Sequence, residues 1–246
     1  MKYLLLLLSL FILSCQNTPE STSIQESNPA APGFNLEGSD EKAIELADQV
    51  MEAMGGRNAW DNAEELTWNF FGSRKHTWNK LEKTVHIEGI KDSFDIQMNL
   101  EDKSGRVVLK GQDLAETDSL GKYLQKGYEM WVNDSYWLFM PFKLKDSGVT
   151  LNYLGSKDLN DSLSVEQVAL TFKEVGVTPQ NKYVVSIDPS TNLICQWDFY
   201  PTAADTIARF STPWVDYKDF QGLLLSGSRG EGYTIGDISV KMKETL

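Results

Sequence analysis

The sequence predicts a mainly β domain of the α+β class, with an antiparallel sheet of about a dozen strands covered by two helices. Three observations support this prediction. From residue 66 onward, apolar and polar residues alternate with a period of two in many short segments. Polar turns separate these segments, as expected for antiparallel neighbours. Two longer segments instead carry apolar residues at helical spacing, and no internal repeat or second domain is evident.

The first 15 residues, MKYLLLLLSLFILSC, are organised like a secretion signal. Lys2 supplies a positive charge, and the apolar run over residues 3–13 is too short to span a bilayer comfortably. The run ends in ILSC, which resembles the lipobox of bacterial lipoproteins. This resemblance implies that residues 1–14 are a lipoprotein signal peptide and that Cys15 is acylated, for example by palmitate, to give a membrane anchor. The alternative is an ordinary secretory peptide or membrane anchor with an incidental cysteine.

Two further segments precede the sheet. Residues 15–38 are rich in Ser, Thr, Pro, Asn, Gln and Glu, so we expect a flexible tether. The globular domain is expected over residues 39–246. A first helix is predicted over residues 39–54, capped by Ser39 or Asp40 and ended by two glycines. Its apolar stripe consists of Ala43, Leu46, Ala47, Val50 and Met54.

The stretch YEMWVNDSYWLFMPFKL, residues 128–144, is interpreted as the place where helix and sheet meet. A second helix is predicted over residues 118–133, although a strand over residues 128–132 is a competing interpretation. Asn133, Asp134 and Ser135 are expected to form a polar turn, because these residue types favour turns. A strand over residues 136–142 should follow. The remaining predicted strands cover residues 66–70, 85–87, 94–98, 106–110, 149–154, 183–187, 193–199, 206–212, 222–228 and 233–242, with a polar loop over residues 155–166.

This order of elements resembles lipoprotein carriers of the LolA/LolB type, and most nearly the outer-membrane lipoprotein-sorting-like lipoproteins of the Bacteroidetes. The resemblance rests on YWLFMP at residues 136–141, on residues 185–197 with their Asp188-Pro189 hairpin, and on WVDYKDFQGLLL at residues 214–225. It implies an incomplete, or half, β-barrel with an apolar cavity that accepts acyl chains. It does not imply an enzymatic activity.

Nine large apolar side chains are expected on one side of the sheet, where a curved surface would form an apolar hollow. The alternative is that they fill an ordinary core beneath the helices. They are Trp68, Phe70, Trp78, Phe94, Met98, Trp137, Phe139, Trp197 and Phe199.

Composition excludes several functions. The net charge of −12 argues against nucleic acid as a partner, because phosphate backbones require clustered Lys and Arg. With only two cysteines, Cys-based zinc or iron–sulfur sites are excluded. If Cys15 is acylated, Cys195 is a free thiol and is expected to be a small buried hydrophobe.

No catalytic motif stands out, so we expect no enzyme, no cofactor and no metal. The GxSxG elbow, HExxH and nucleotide-binding glycine patterns do not occur. His76 and His86 are interpreted as two exposed strand histidines. The loop acids Asp158 and Asp161, with Asn160, lack the spacing of a calcium-binding EF-hand.

Three hypotheses for function remain. The first is a lipid-anchored protein of the cell envelope, expected to be monomeric and to lie in the outer membrane on its periplasmic or surface face. It would bind an acyl chain, lipid or lipoprotein and take part in lipid or lipoprotein trafficking. The second is an envelope assembly or interaction protein with a self-filled core and no lipid ligand. The third is a surface glycan-binding protein or enzyme.

Overall fold

The computed structural model describes residues 27–244, so the leader, Cys15 and the start of the expected tether lie outside the described residues. Within this range the chain forms three α-helices, one short 3-10 helix and fourteen strands. The helices are α1 (Glu41–Ala53), α2 (Gly56–Asn62) and α3 (Thr117–Phe139), and the 3-10 helix is Met140–Lys143. The strands are β1 (Ala63–Phe70), β2 (Arg74–Asn79), β3 (Thr84–Gly89), β4 (Phe94–Asn99), β5 (Gly105–Leu109), β6 (Gln112–Asp113), β7 (Val149–Asn160), β8 (Leu163–Phe172), β9 (Lys182–Asp188), β10 (Leu193–Tyr200), β11 (Phe210–Pro213), β12 (Val215–Phe220), β13 (Leu223–Ser228) and β14 (Ile235–Met242).

The strands form three antiparallel sheets. A seven-stranded sheet has the order β14-β1-β2-β3-β4-β5-β6, and a five-stranded sheet has the order β11-β10-β9-β8-β7. A separate hairpin joins β12 to β13. The first two sheets end in free edges rather than closing on themselves, which confirms a mainly antiparallel, open half-barrel. The single sheet of about a dozen strands is instead divided into three.

The first helix matches its prediction closely. All five residues of the predicted apolar stripe are buried and belong to the main core. The start of the helix differs from the prediction, since the Asp40 side chain makes no capping hydrogen bond to the first turn. Its carboxylate instead accepts a hydrogen bond from the backbone N–H of Tyr153, at 2.8 Å, while Ser39 Oγ accepts from Leu151 N–H at 3.0 Å. Both side chains thereby join the start of α1 to β7.

The prediction for residues 133–142 is wrong. The polar turn and the following strand do not form, because α3 continues without a break to Phe139 and then tightens into the 3-10 helix. Asp134 and Ser135 are accommodated inside the helix: Asp134 pairs with β2, and the Ser135 hydroxyl donates to the Val132 carbonyl at 3.2 Å. Regular α-helix ends just before Pro141, which lacks the backbone N–H that the helix would need.

Two other expectations are also corrected. Residues 155–166 do not form a loop, because polar residues extend the β7–β8 hairpin into solvent as far as Asn160 and Leu163. Strand β12 was not predicted, and its alternation is weak because most of its residues are exposed or half-buried.

Contacts with the domain begin inside the segment expected to be the tether. The Asn28 amide donates to Asp48 in α1 at 2.7 Å. The backbone N–H groups of Ala31 and Asn35 donate to the carbonyls of Lys145 and Val149, at 2.9 and 3.0 Å. The division into signal peptide, tether and domain stays a prediction.

Candidate functional site

Helix α3 lies between the seven-stranded and five-stranded sheets. On one side Trp131 packs edge-on against Trp78 of β2, with ring centroids 5.3 Å apart. On the other side Tyr136 packs against Tyr183 of β9 at 5.4 Å, and Trp137 packs against Trp197 of β10 at 4.8 Å. The helix therefore occupies much of the hollow that the two sheets would otherwise enclose.

Glycine lets α3 approach the seven-stranded sheet closely. A Cβ atom at Gly127 would lie 3.0 Å from Ile96 Cγ2 and 3.4 Å from Met98 Sδ. A larger side chain here would push the helix away from β4.

A buried charge cluster holds the centre of α3 to β2. The Asp134 carboxylate, which is fully buried, accepts from Arg74 Nε at 2.6 Å and Arg74 Nη2 at 3.0 Å, and its Oδ2 lies 2.7 Å from His76 Nε2. The His76 ring stacks on Trp68, with centroids 4.6 Å apart. Because His76 is also fully buried, the prediction of two exposed histidines is wrong for this residue.

A buried cation, Arg229, holds the end of α3. Arg229 follows β13, lies over the Trp214 ring at 3.6 Å and donates to the Trp137 carbonyl. Burial lowers the pKa of Arg229 to about 9. The two contacts fix the helix at neighbouring turns, so the face it presents to the five-stranded sheet is well defined.

The face of α3 opposite Asp134 borders an apolar cavity of about 310 Å³, near the lower end of the range for ligand pockets. Its walls come from α3, from the end of β8 with the loop that follows it, and from β9 and β10. We call it the aromatic cavity. It is lined by Glu129, Val132, Asn133, Tyr136, Trp137, Phe172, Val175, Gly176, Val177, Thr178, Tyr183 and Trp197.

A smaller cavity of about 200 Å³ lies beside the aromatic cavity. Five residues line both, namely Val132, Tyr136, Phe172, Val175 and Gly176. Trp78 and Trp131 line only the smaller cavity. The two spaces thus border one another along these five residues, among which Tyr136 is the only one with a polar side chain.

The nine predicted cavity residues are distributed unevenly. Three of them line the two cavities: Trp137 and Trp197 line the aromatic cavity, and Trp78 lines the smaller one. Trp68, Phe70 and Phe139 are buried in the main core, and Met98 is buried with Phe94 packed nearby in a second cluster beneath the first half of α3. Phe199 packs on Phe210 at 5.1 Å. Binding of a ligand by any of the nine stays a prediction.

Several cavity residues were missed by sequence reasoning. Glu129, Val132, Asn133 and Tyr136 follow the spacing i, i+3, i+4 and i+7, which places them on one helical face. This pattern would have identified the face had residues 128–139 been interpreted as continuous helix. Tyr183 and Phe172 carry no such local pattern, because only strand pairing brings them together.

Half-exposed aromatic rings continue outward from Trp137. Phe210 stacks on it at 6.0 Å, and Phe71 packs edge-on at 5.6 Å. Tyr233 then packs against Phe71 at 5.8 Å and is 61% exposed. We call Phe71, Phe210 and Tyr233 the aromatic rim.

The one group of potential metal ligands in residues 27–244 is His86, Glu88 and Asp95. Their ligand atoms lie within 4.8 Å of one another on half-exposed positions of β3 and β4. His86 Nε2 already lies 2.6 Å from Asp95 Oδ2, and Lys75 pairs with Glu88 at 3.7 Å. Because each member has a protein partner, we assign no metal to them.

Cys195 is half-buried rather than fully buried. Its thiol donates to the Ser186 carbonyl at 3.4 Å. Burial raises its pKa to about 11, so the thiol is protonated and a poor nucleophile at neutral pH.

No protein-family model matches the sequence, and no curated protein matches it. Among solved structures, the fold is similar to a DUF1329 family protein from Desulfovibrio piger, with 11% identity, a TM-score of 0.41 and coverage of 82% of this chain and 95% of that one. It is also similar to a candidate outer membrane lipoprotein-sorting protein domain from Vibrio parahaemolyticus, with 9% identity, a TM-score of 0.37 and coverage of 82% and 93%.

A weaker similarity is to MucB, with 16% identity, a TM-score of 0.26 and coverage of 65% of this chain and 53% of that one. The neighbours thus include the lipoprotein-sorting type that the sequence resembles, and none of their descriptions names an enzymatic reaction.

None of the helices over residues 27–244 is long and apolar enough to cross a membrane.

Proposed function

We propose that this protein is a lipid-anchored component of the cell envelope that binds a hydrophobic ligand in the aromatic cavity. The ligand class is an acyl chain, a lipid or the acylated end of a lipoprotein. The observation that carries the proposal is the cavity itself, which lies between α3 and the five-stranded sheet and is walled mainly by aromatic and aliphatic side chains. Burial of an acyl chain there would contribute about 0.8 kcal/mol of favourable binding free energy per methylene group.

The anchor belongs to the same proposal. Acylated Cys15 would hold the chain at a membrane, most simply the outer membrane, and residues 16–26 would supply part of the reach between anchor and domain. In this arrangement the domain acts as a monomer and takes part in lipid or lipoprotein trafficking.

Native mass spectrometry tests the binding proposal. A chain that starts at residue 27 retains every contact described above and is purified from the periplasm without detergent. We expect an adduct near one lipid per chain, identified by solvent extraction. The variant Val132→Trp should lose the adduct, because Val132 lines both cavities and a larger side chain would occupy their space.

Val215→Trp is the matched control, because Val215 is exposed on β12 and lines neither cavity. A clean mass in the unmodified chain, together with no uptake of added lipids, would contradict the proposal.

One observation favours a second candidate, an envelope interaction protein without a lipid ligand. Most of the nine predicted cavity residues lie in filled core, while the aromatic rim is exposed. On this account the rim would contact a protein partner. Crosslinking in cells would recover that partner, and substituting Tyr233 by Ser would reduce the crosslink without changing any lipid adduct.

A further inference from the structure

The walls of the two cavities contain three polar atoms that are buried and have no hydrogen-bond partner within residues 27–244. They are the hydroxyl oxygen of Tyr136 and the indole nitrogens of Trp131 and Trp197. Leaving such a group unpaired costs about 1–3 kcal/mol, so buried polar groups are nearly always satisfied. All three belong to side chains that line the two cavities, so a ligand held there is the group placed to supply the missing partner.

The three atoms have a common chemistry. An indole N–H can only donate a hydrogen bond. Burial raises the pKa of Tyr136 well above its ordinary value of 10.0, so its hydroxyl stays protonated and can donate at any physiological pH. The group that complements them is therefore a hydrogen-bond acceptor.

The charges around the cavities select the kind of acceptor. Among the described residues, the only charged side chain lining the aromatic cavity is Glu129, and it is exposed to solvent. In the smaller cavity, Lys143 is paired with Asp146. A carboxylate or phosphate would thus lose its hydration without gaining a free cation, which is costly. An uncharged carbonyl oxygen meets the same donors without that cost.

The position of Tyr136 adds a geometric requirement. It lines both cavities, and Trp197 lines one while Trp131 lines the other. A ligand that meets these donors while filling both spaces has a polar centre with an apolar arm on either side. A fatty-acid ester has this shape.

We propose that the ligand is an uncharged lipid ester, whose carbonyl oxygen accepts a hydrogen bond from Tyr136 while its apolar arms enter the two cavities. This inference rests on the proposed function, since it specifies the ligand of the same cavity.

The test compares three probes of similar chain length: methyl palmitate, palmitate and hexadecane. They share the alkyl chain and differ in having a neutral ester, a charged carboxylate or no acceptor. Binding to the chain that starts at residue 27 is followed by tryptophan fluorescence. We expect methyl palmitate to bind at least fivefold more tightly than either other probe.

The variant Tyr136→Phe removes only the hydroxyl. We expect it to weaken methyl palmitate binding about three- to tenfold and to leave hexadecane binding unchanged. Tyr183→Phe is the matched control, because Tyr183 lines the same cavity but its hydroxyl is hydrogen-bonded to Asn181. It should retain the preference for the ester. Melting temperatures establish that both variants are folded.

The outcomes separate the two proposals. Equal binding of all three probes by the unmodified chain overturns the ester inference and leaves hydrophobic binding intact; this comparison needs no variant. A folded Tyr136→Phe variant that keeps the full preference for the ester overturns it as well. If none of the probes binds, the proposed function itself fails.

Discussion

Asp134 is the residue on which the position of α3 depends most. It has no exposed side-chain surface; Arg74 supplies the neutralising positive charge, and His76 adds a second hydrogen-bond partner. Removing one partner of a buried ion pair strongly destabilises the folded protein. The remaining charge is then left without a compensating charge in an environment of low dielectric constant. The same reasoning explains why a helix tolerates an acidic residue in its buried face.

Asp134→Ala should lower the free energy of unfolding by about 3–5 kcal/mol. The measurement is urea denaturation followed by circular dichroism. Asp95→Ala is the matched control, because it removes the other Asp–His pair of the seven-stranded sheet at a position where both side chains are one-third exposed. That change should stay below about 1 kcal/mol. Equal losses in the two variants would show that the buried cluster does not hold the helix.

His76 predicts how stability depends on pH. Its pKa lies below the ordinary value of 6.5, because burial disfavours the imidazolium more than Asp134 favours it. The unfolded chain therefore takes up a proton at higher pH than the folded chain does. The stabilisation that neutral His76 contributes to folding is fully present at pH values above its pKa in the unfolded chain. It is lost as the pH falls through and below 6.5.

Asp134 contributes in a lower pH range. Burial would raise its pKa, but hydrogen bonds from His76 and Arg74 outweigh this and keep the pKa below the ordinary value of 3.8. The stabilisation from ionised Asp134 is present at pH values above its pKa in the unfolded chain. It is lost as the pH falls through its lower pKa in the folded protein. Between pH 7 and pH 5 the change should therefore come from His76.

The free energy of unfolding should decline from pH 7 to pH 5, by at most about 1.4 kcal/mol per pH unit for one proton. His76→Phe should flatten this decline, since Phe retains the stacking on Trp68 but cannot be protonated. A decline that persists in His76→Phe would assign the pH dependence to other groups.

Sequence reasoning failed at His76 for an identifiable reason. Alternation along β2 places it on the same face as Arg74 and Trp78, and neither neighbour indicates whether that face is buried at His76. The partner that allows burial, Asp134, is 58 positions away in the chain. No local pattern reports such a pairing.

At the scale of elements, α3 shows what periodicity can and cannot predict. Its first half was predicted because Leu120, Leu124 and Trp131 follow helical spacing. Its second half was not, because Asn133, Asp134 and Ser135 are turn-forming residues in isolation. Tertiary contacts override this preference, and the error moved Tyr136 and Trp137 from a helix to a strand.

Gly127→Leu should destabilise the domain by about 1–3 kcal/mol, because the new side chain would meet Ile96 and Met98 across the helix–sheet interface. Gly121→Leu, in the same helix, is the control. A Cβ atom at Gly121 would meet nothing within 4 Å, so the higher helix propensity of Leu should make this change neutral or stabilising. Thermal unfolding of the two variants compares them. Equal stability would contradict a close approach of α3 to β4.

At the scale of the whole molecule, the architecture was largely predictable. Alternating segments joined by polar turns identified antiparallel strands, and the apolar stripe of α1 identified a covering helix. The division into separate sheets was not predictable, because it depends on which strand edges meet. The sequence predicted that an apolar cavity exists, but it did not predict most of the residues that line it. The reason is that α3 enters the hollow and forms one wall of the cavity.

The anchor is tested at this scale as well. Cells supplied with an alkyne analogue of palmitate should label the protein, and Cys15→Ala should abolish the label. Cys195→Ala is the control, since the chain has only these two cysteines and the Cys195 thiol is protonated. Label that survives in Cys15→Ala would contradict acylation at the lipobox.

The most direct test of the central claim is to locate the bound ligand. A palmitate ester carrying a photoreactive diazirine on its chain is added to the purified protein, and the crosslinked peptides are mapped by mass spectrometry. We predict crosslinks on the α3 face between Glu129 and Trp137 and on residues 172–178, which line the aromatic cavity. Crosslinks confined to the aromatic rim, or to the outer face of the seven-stranded sheet, would contradict binding in the cavity.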